Sequence, residues 1–428
     1  MTDWPVMTLQ KAGVALIDCV HKTPAPVEVG FPYVAIPQMK NGRIDFTDAR
    51  RISHSDFQEW TKKARPKLHD VILSRRTNPG VTATFGSECD FALGQNLVLL
   101  RADGTFVCPE FLRWLLVSPE WWDQIRKFNN VGAVFDSLRC ADVPRFELPI
   151  PPKHHQRAIA SILAALDDKI QLNRKMNQTL ETMARATFKD WFVDFGPTRA
   201  KSEGIAPYLA IAVWDQFPGS FDGEGRPQNW RPATLSAIAN LNPESWSAQS
   251  RPSQVEYVDL ANTKWGTIET TEIHSWDAAP SRARRVLRPG DTIVGTVRPG
   301  NGSYAFVDQD GLTGSTGFAV LRPKSRAYRE LIYCAATSSE NIEHLSHLAD
   351  GAAYPAVRPD VVANTAIVLG VPSVIDAFSA MCAPLIDRCE ANKRESKTLA
   401  LARDLLLPKL ISGEVQVRDA EKMAEAVL

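Results

Sequence analysis

Apolar positions in the middle of the chain fall in a 4-3 rhythm: Ile159, Leu163, Leu166, Ile170, then Asn173, Asn177, Leu180 and Ala184, with Trp191 further on. This spacing keeps one stripe on one side of a helix and calls for a partner helix. Pro151 and Pro152 stand just before it, where proline suits a helix start. The spacing predicts a helix from about residue 155 to 194, roughly 60 Å long, more than the packing of one domain requires. A second run carries the matching pattern through Phe378, Leu385, Cys389, Asn392, Ser396, Leu399 and Leu406. Pro384 is expected to interrupt its early turns. Asparagine in an apolar seam lowers stability but fixes register and partner, so the two helices are predicted to pair with each other as a spacer.

Elsewhere the hydrophobic pattern is short and alternating, broken by Gly, Pro and Asn, which predicts strands and turns. These strand-like runs occur twice. FPYVAIPQMKNGRIDFTDARRIS (31–53) aligns with VEYVDLANTKWGTIETTEIHSWD (255–277), and KLHDVILSRRTNPGVTATF (67–85) with LRPGDTIVGTVRPGNGSYAF (287–306). FALGQNLVLLRAD aligns with GSTGFAVLRPK, and VGAVFDSLRCADVPRFELPIPP (131–152) with GAAYPAVRPDVVANTAIVLGVP (351–372). The offset stays at about 220 residues throughout, so the chain is read as one β-rich unit followed by a long helix, twice over. Tyr33 and Tyr257, each in a Tyr-Val strand pair, are expected in the core.

Composition narrows the function. A chain of 428 residues with 44% hydrophobic content suits two or three globular domains. Lys plus Arg equals Asp plus Glu at 49 each, so no overall field draws the molecule to a polyanion, and any such site must be a local patch. Seven scattered cysteines without a C-x-x-C pair argue against a disulfide framework or zinc ribbon. The N-terminus lacks a basic region followed by an apolar core, and no apolar run approaches the ~20 residues of a membrane span. A soluble, unprocessed, cytoplasmic protein with no membrane association is expected.

Candidate chemistry is sparse. Neither G-x-x-x-x-G-K-[ST] nor a strand-linked G-x-G-x-x-G occurs, and GTVRPGNGS (295–303) lacks the following helix that a phosphate loop needs. His154-His155 has no second ligand pair and is read as surface. Asp167-Asp168 point about 100° apart on a helix and are read as a solvated flank of the seam. GSTG (314–317) has no matching His and Asp. No catalytic residue, metal or cofactor is expected.

What remains is basic and polar loops at equivalent places in the two repeats. Lys62, Lys63, Arg65 and Lys67 precede a strand that Ser74, Arg75, Arg76, Thr77 and Asn78 follow. Arg282, Arg284, Arg285 and Arg288 precede the corresponding strand, and Thr296 to Asn301, including Arg298, follow it. Arg and Lys there can neutralise phosphates, while Arg, Asn or Thr can read base edges. The expected DNA contacts are loops 74–78 and 298–301, with Lys40, Asn41, Lys264 and the basic clusters as secondary candidates.

PIPPKHHQRAIASILAALDDKIQLNRKMNQTLETMARATFKDWFVDF (149–195) resembles the central region of the specificity subunits of type I restriction-modification systems. The matching positions are Pro152, Gln156, Ile159, Asp168, Lys169, Ile170, Asn173, Asn177, Trp191, Phe192, Val193, Asp194 and Phe195. FPGSFDGEGRPQNW (217–230) looks like that family's lead-in to a second recognition domain, and LLLPKLISGEV (405–415) like its C-terminal end. The second half departs in part, with Asp376 where Gln156 stands in the first and Ser396 where Asn177 stands.

The resemblance implies an α+β fold: two repeated β-rich target recognition domains separated by two long helices in an antiparallel, pseudo-twofold coiled coil. The expected division is 1–152 and 230–372 for the recognition domains, 153–196 and 373–415 for the helices, 197–229 for the connection and 416–428 for a tail. Ile159, Leu163, Leu166, Ile170, Asn173, Asn177, Leu180, Trp191, Phe192, Leu385, Asn392 and Leu399 would form the helix pair and dock partners. The partners implied are double-stranded DNA, two DNA adenine methyltransferase subunits and restriction (translocase-nuclease) subunits. The subunit itself would have no catalysis. Three other readings stay open at this point: a protein-only coiled-coil adaptor, a self-contained enzyme with an atypical site, and a specificity subunit for a fused methyltransferase-nuclease.

Overall fold

The computed structural model describes residues 4–20, 22–63, 65–86, 90–129, 136–351 and 354–428. Cys89, the VGAVF stretch at 131–135 and Ala352-Ala353, which enter the sequence comparisons above, lie outside the described residues. The chain forms two compact units, one of Met1–Gln171 with Ser396–Leu428 and one of Leu172–Glu395. Both mix helix and sheet, so the fold is α+β.

The repeat is visible strand by strand. The first unit has a four-stranded antiparallel sheet in the order Val14–Asp18, Leu97–Ala102, Val71–Ser74, Thr82–Ala83. The second has Ala239–Leu241, Phe318–Pro323, Thr292–Gly295, Tyr304–Phe306 in the same order. A smaller sheet recurs with its one parallel pairing, Tyr33 opposite Ala92 in the first unit and Tyr257 opposite Thr313 in the second. A two-stranded pair, Val6–Thr8 with Glu147–Pro149, is matched by Arg231–Thr234 with Ala366–Leu369. Short hairpins Met39–Ile44 and Thr263–Ile268 complete the correspondence.

The main sheet is covered on both faces, so its strands read as continuous apolar runs. Val71, Leu73, Val98 and Leu100 face Phe111, Trp114, Ile159 and Leu163, while Ile72, Leu97 and Leu99 face Val34, Ile44 and Phe91. In the second unit Val294, Ala319 and Leu321 face Leu331, Ile332 and Phe378, and Ile293, Phe318 and Val320 face Val258 and Leu287. A buried ion pair recurs as well. Asp70 takes Arg101 Nε at 2.8 Å and Asp291 takes Arg322 Nε at 2.8 Å, each across 31 residues. Tyr33 and Tyr257 are buried as expected.

The long helices are Lys153–Phe188 and Pro372–Ile411. Gln156 anchors the start of the first. Fully buried, it donates Nε2 to the carbonyls of Pro151 and Phe106 and accepts the Cys108 amide, each at 2.7 Å. In the first unit Ile159, Leu163, Leu166 and Ile170 share a core with Leu399, Leu406 and Leu410. In the second unit the seam turns polar. Asn392 Nδ2 donates to Asn177 Oδ1 (2.8 Å), Asn177 Nδ2 to the Cys389 carbonyl (3.1 Å), and Asn173 Nδ2 to Glu395 (2.7 Å). Asn173 pairs with 395 and Asn177 with 389 and 392, so the helices run antiparallel there. Leu180 is half-buried.

Two expectations need correction. Pro384 does not interrupt the second helix, which runs unbroken from Pro372 to Ile411; the residue is exposed, and packing on the opposite face offsets its lost hydrogen bond. The seam passes through Phe378, Cys382, Ile386 and Cys389, leaving Leu385 only partly buried beside it. Trp191 and Phe192 are buried and meet Phe378 of the second long helix, so both belong to the helix pair. The first helix loosens into a π turn over Lys189–Val193, and their rings pack on Phe217 (4.9 Å), Trp230 (5.5 Å) and Phe378 (5.1 Å). The W-F-V-D-F motif thereby clamps the FPGSF…NW lead-in. Among the described residues no helix is long and apolar enough to cross a membrane.

Candidate nucleic-acid interface

Two loops in each unit combine exposure with unusual backbone. The first is the hairpin tip, Asn41-Gly42 in one unit and Trp265-Gly266 in the other, with φ of 51° and 72°, then 47° and 86°. Two-residue hairpins favour positive φ at both central positions because that twist matches the strands, and Asn-Gly is the preferred pair. The second loop follows the strand ending at Ser74 or Gly295. Arg75 and Thr296 donate their amides to Asn96 (2.9 Å) and Gly317 (2.8 Å), and accept from Leu138 and Val357 (2.9 Å each) through their carbonyls. Two residues on, Thr77 and Arg298 occupy the left-handed region at φ 68° and 48°. Non-glycine residues held there are strained by roughly 1–3 kcal/mol and concentrate at functional sites.

The structure sorts the predicted contacts. Arg76, Thr77, Asn78, Asn41, Lys63, Lys264, Arg282, Arg298 and Asn301 are exposed. Ser74 is not: it has no accessible surface, and its hydroxyl donates to the Arg76 carbonyl at 2.9 Å. It therefore shapes the turn and cannot meet a ligand. Arg75 is half-buried and reaches the Gln95 carbonyl at 3.4 Å. Lys40 is exposed but paired with Asp45 at 2.8 Å, and that hydrogen bond holds the Asp45 carboxyl down at about 2. Lys62 lies 3.6 Å from Glu59. Arg284 lies over the Trp276 ring at 4.7 Å. Arg285 donates to Ser245 Oγ at 3.2 Å, and burial lowers its guanidinium from its ordinary value. Of the flanking arginines, Arg65 is paired with Asp90 and Arg288 with Glu244 and Asp310. The charges of Arg65 and Arg288 are thus offset by carboxylates that lie 25, 44 and 22 residues away along the chain.

Each hairpin is also pinned to the long helices, which sequence reasoning missed. In the first unit Arg43 donates to Asp167 at 2.6 Å and lies 3.4 Å from Asp168. Asp167 is buried and takes Arg113 and Arg403 as well, the latter at 2.9 Å. Burial alone would raise its carboxyl, but Arg113 and Arg43 outweigh that and hold it below the usual range. Burial lowers Arg113 in turn, as one carboxylate serves three guanidinium groups. Asp167 is therefore no solvated flank. In the second unit Lys393 donates to the Gly266 carbonyl and to Glu390, both at 2.7 Å. Burial pulls its ammonium down, yet Glu390 and Glu181 more than restore it.

Residues 23–182 match the family model of the type I restriction modification DNA specificity domain. The chain is 24% identical over 427 residues to the type I restriction enzyme HindI specificity subunit of Haemophilus influenzae, covering 84% of this chain and 89% of that protein. It is 22% identical over 383 residues to the MjaIX specificity subunit of Methanocaldococcus jannaschii, covering 86% and 83%. Its fold is similar to the crystal structure of the type I restriction-modification S subunit from M. genitalium, with a TM-score of 0.55 at 16% identity over 95% of this chain and 96% of that one.

Proposed function

We propose that the chain, which is similar over most of its length to specificity subunits of type I restriction-modification systems, is the DNA-reading subunit of such a complex in the cytoplasm. Each unit reads one half of a bipartite target, and the helix pair sets the spacer. The helices dock two DNA adenine methyltransferase subunits, and restriction (translocase-nuclease) subunits join for cleavage. The chain itself is non-catalytic.

The observation that carries this reading is the duplicated pair of strained, exposed loops on a duplicated frame, with different side chains at equivalent tips. Asn41 corresponds to Trp265, and Thr77 to Arg298. One frame with two sets of reading residues suits a target whose halves differ. Phosphate contacts fix register while base edges carry sequence, so few loop residues are needed for reading. With zero net charge, much of the phosphate contact falls to the methyltransferase partners.

The test is a map of methylated adenines across the source genome, with the gene intact and deleted. An asymmetric two-part motif that loses its methylation on deletion is the expected result. A methylome that does not change on deletion would overturn the proposal and favour the protein-only adaptor.

A further inference from the structure

Trp265 is 59% exposed and sits at φ 47°. A bulky residue in the left-handed region is a genuine outlier, and here burial of the ring gives little in return. The first unit solves the same turn with Asn41, a residue type that tolerates this backbone. The strain at Trp265 is therefore kept for something other than the fold.

The ring is also held in place. The Trp265 amide donates to the Gly302 carbonyl at 2.7 Å. Gly302, at φ 66°, leaves room that a Cβ would fill to within 2.6 Å of the indole. Tyr304 meets the ring edge-on with centroids 6.0 Å apart. Behind the tip, Lys393 grips the Gly266 carbonyl, and a Cβ on Gly266 would approach the Tyr333 hydroxyl to 2.9 Å. An exposed aromatic fixed on both sides is ordered before any ligand arrives.

Its surroundings indicate the ligand. Lys264 precedes it and is exposed. The adjoining loop carries Arg298, whose guanidinium lies 5.1 Å from the ring of Tyr354, itself 73% exposed. Cations beside exposed aromatic rings suit a polyanion whose grooves present apolar as well as polar base edges better than an apolar protein face.

We propose that Trp265 is a specificity-determining base contact, its indole packing against a base edge in a groove of the half-site read by the second unit, beside Arg298 and Asn301. The inference rests on the DNA-reading role above and names a residue of that site.

The experiment uses the intact system in cells, with the wild-type chain, Trp265→Ala and Trp265→Phe, and reads methylated adenines genome-wide together with co-purification of the methyltransferase. Losing discrimination at one base pair of a duplex site costs about 1–3 kcal/mol, or about 5- to 150-fold. The expected result for the Ala variant is a loss of that order in preference at one position of one half-site. The other half-site and the spacer stay unchanged, and Phe retains the motif. An unaltered motif in the Ala variant overturns the proposal. So does loss of methylation and of methyltransferase co-purification in both variants, which would make the ring a protein contact. A wild-type genome without any bipartite motif removes the DNA-reading role itself, and this contact with it. The first two failures leave that role standing.

Discussion

Asp167 shows what one buried charge does here. Its arginine partners at 43, 113 and 403 bring the hairpin, the helix beneath the sheet and the C-terminal helix of the first unit onto one carboxylate. Removing one member of a buried pair costs about 3–5 kcal/mol, because the remaining charges lose their compensation. Asp167→Asn should therefore lower the melting temperature of the first unit by roughly 6–20 °C. The pH dependence has a definite sign. The folded carboxyl titrates below its usual value, so the stability it contributes is present above the unfolded value of about 3.9 and is lost as pH falls through the folded value. The difference in stability between wild-type and Asn chains should begin to shrink as pH falls below about 4; a calorimetric difference that stays constant from pH 7 to pH 3 would refute this. The sequence could not show the network, since the partners lie 124, 54 and 236 residues away. The exposed residues of loops 74–78 and 298–301 were legible, because turn residues and repeat position are local properties. The tie of Lys393 to Gly266, like that of Arg43 to Asp167, was not.

At the scale of elements, the antiparallel helices carry their specificity in a few amides. Asn392 is buried, and its Nδ2 has Asn177 as its acceptor, while its Oδ1 has no partner among the described residues. Asn177→Ala strands that donor and should cost about 1–3 kcal/mol in denaturant unfolding. Asn177→Leu with Asn392→Leu removes both polar groups and should be neutral or stabilising. A double variant less stable than the single one would show that the amides stabilise the seam in their own right. The 4-3 rhythm revealed these asparagines because an uninterrupted heptad can be phased from sequence alone. The phase was lost near Pro384, where the buried stripe steps through Cys382 and Ile386. A proline deletes one backbone hydrogen bond and crowds the preceding turn, and only the packed structure shows which face then turns inward.

For the whole molecule, the repeat was the most legible feature, because two copies of one strand order leave matching runs of apolar residues and turns. Its functional consequence belongs to the helices. Both contribute to both units, Lys153–Phe188 crossing the division at 171/172 and Pro372–Ile411 crossing it at 395/396. If they set the spacer of a bipartite target, their length is a ruler. Half-sites read by a two-fold arrangement lie about one turn of DNA apart, 34–36 Å. Four residues add about 6 Å and a full helical turn plus about 40°, so the apolar stripe nearly keeps its face. Placed at 171/172 and 395/396 together, the insertions preserve the antiparallel register, whereas either alone would keep Asn177 on Asn392 only by breaking the register of the same two helices in the first unit. A complex carrying the double insertion should therefore methylate the same two half-sites with about two more base pairs between them, at 3.4 Å each. An unchanged spacer in a variant that still methylates its half-sites would mean that the partners, and not these helices, measure the distance.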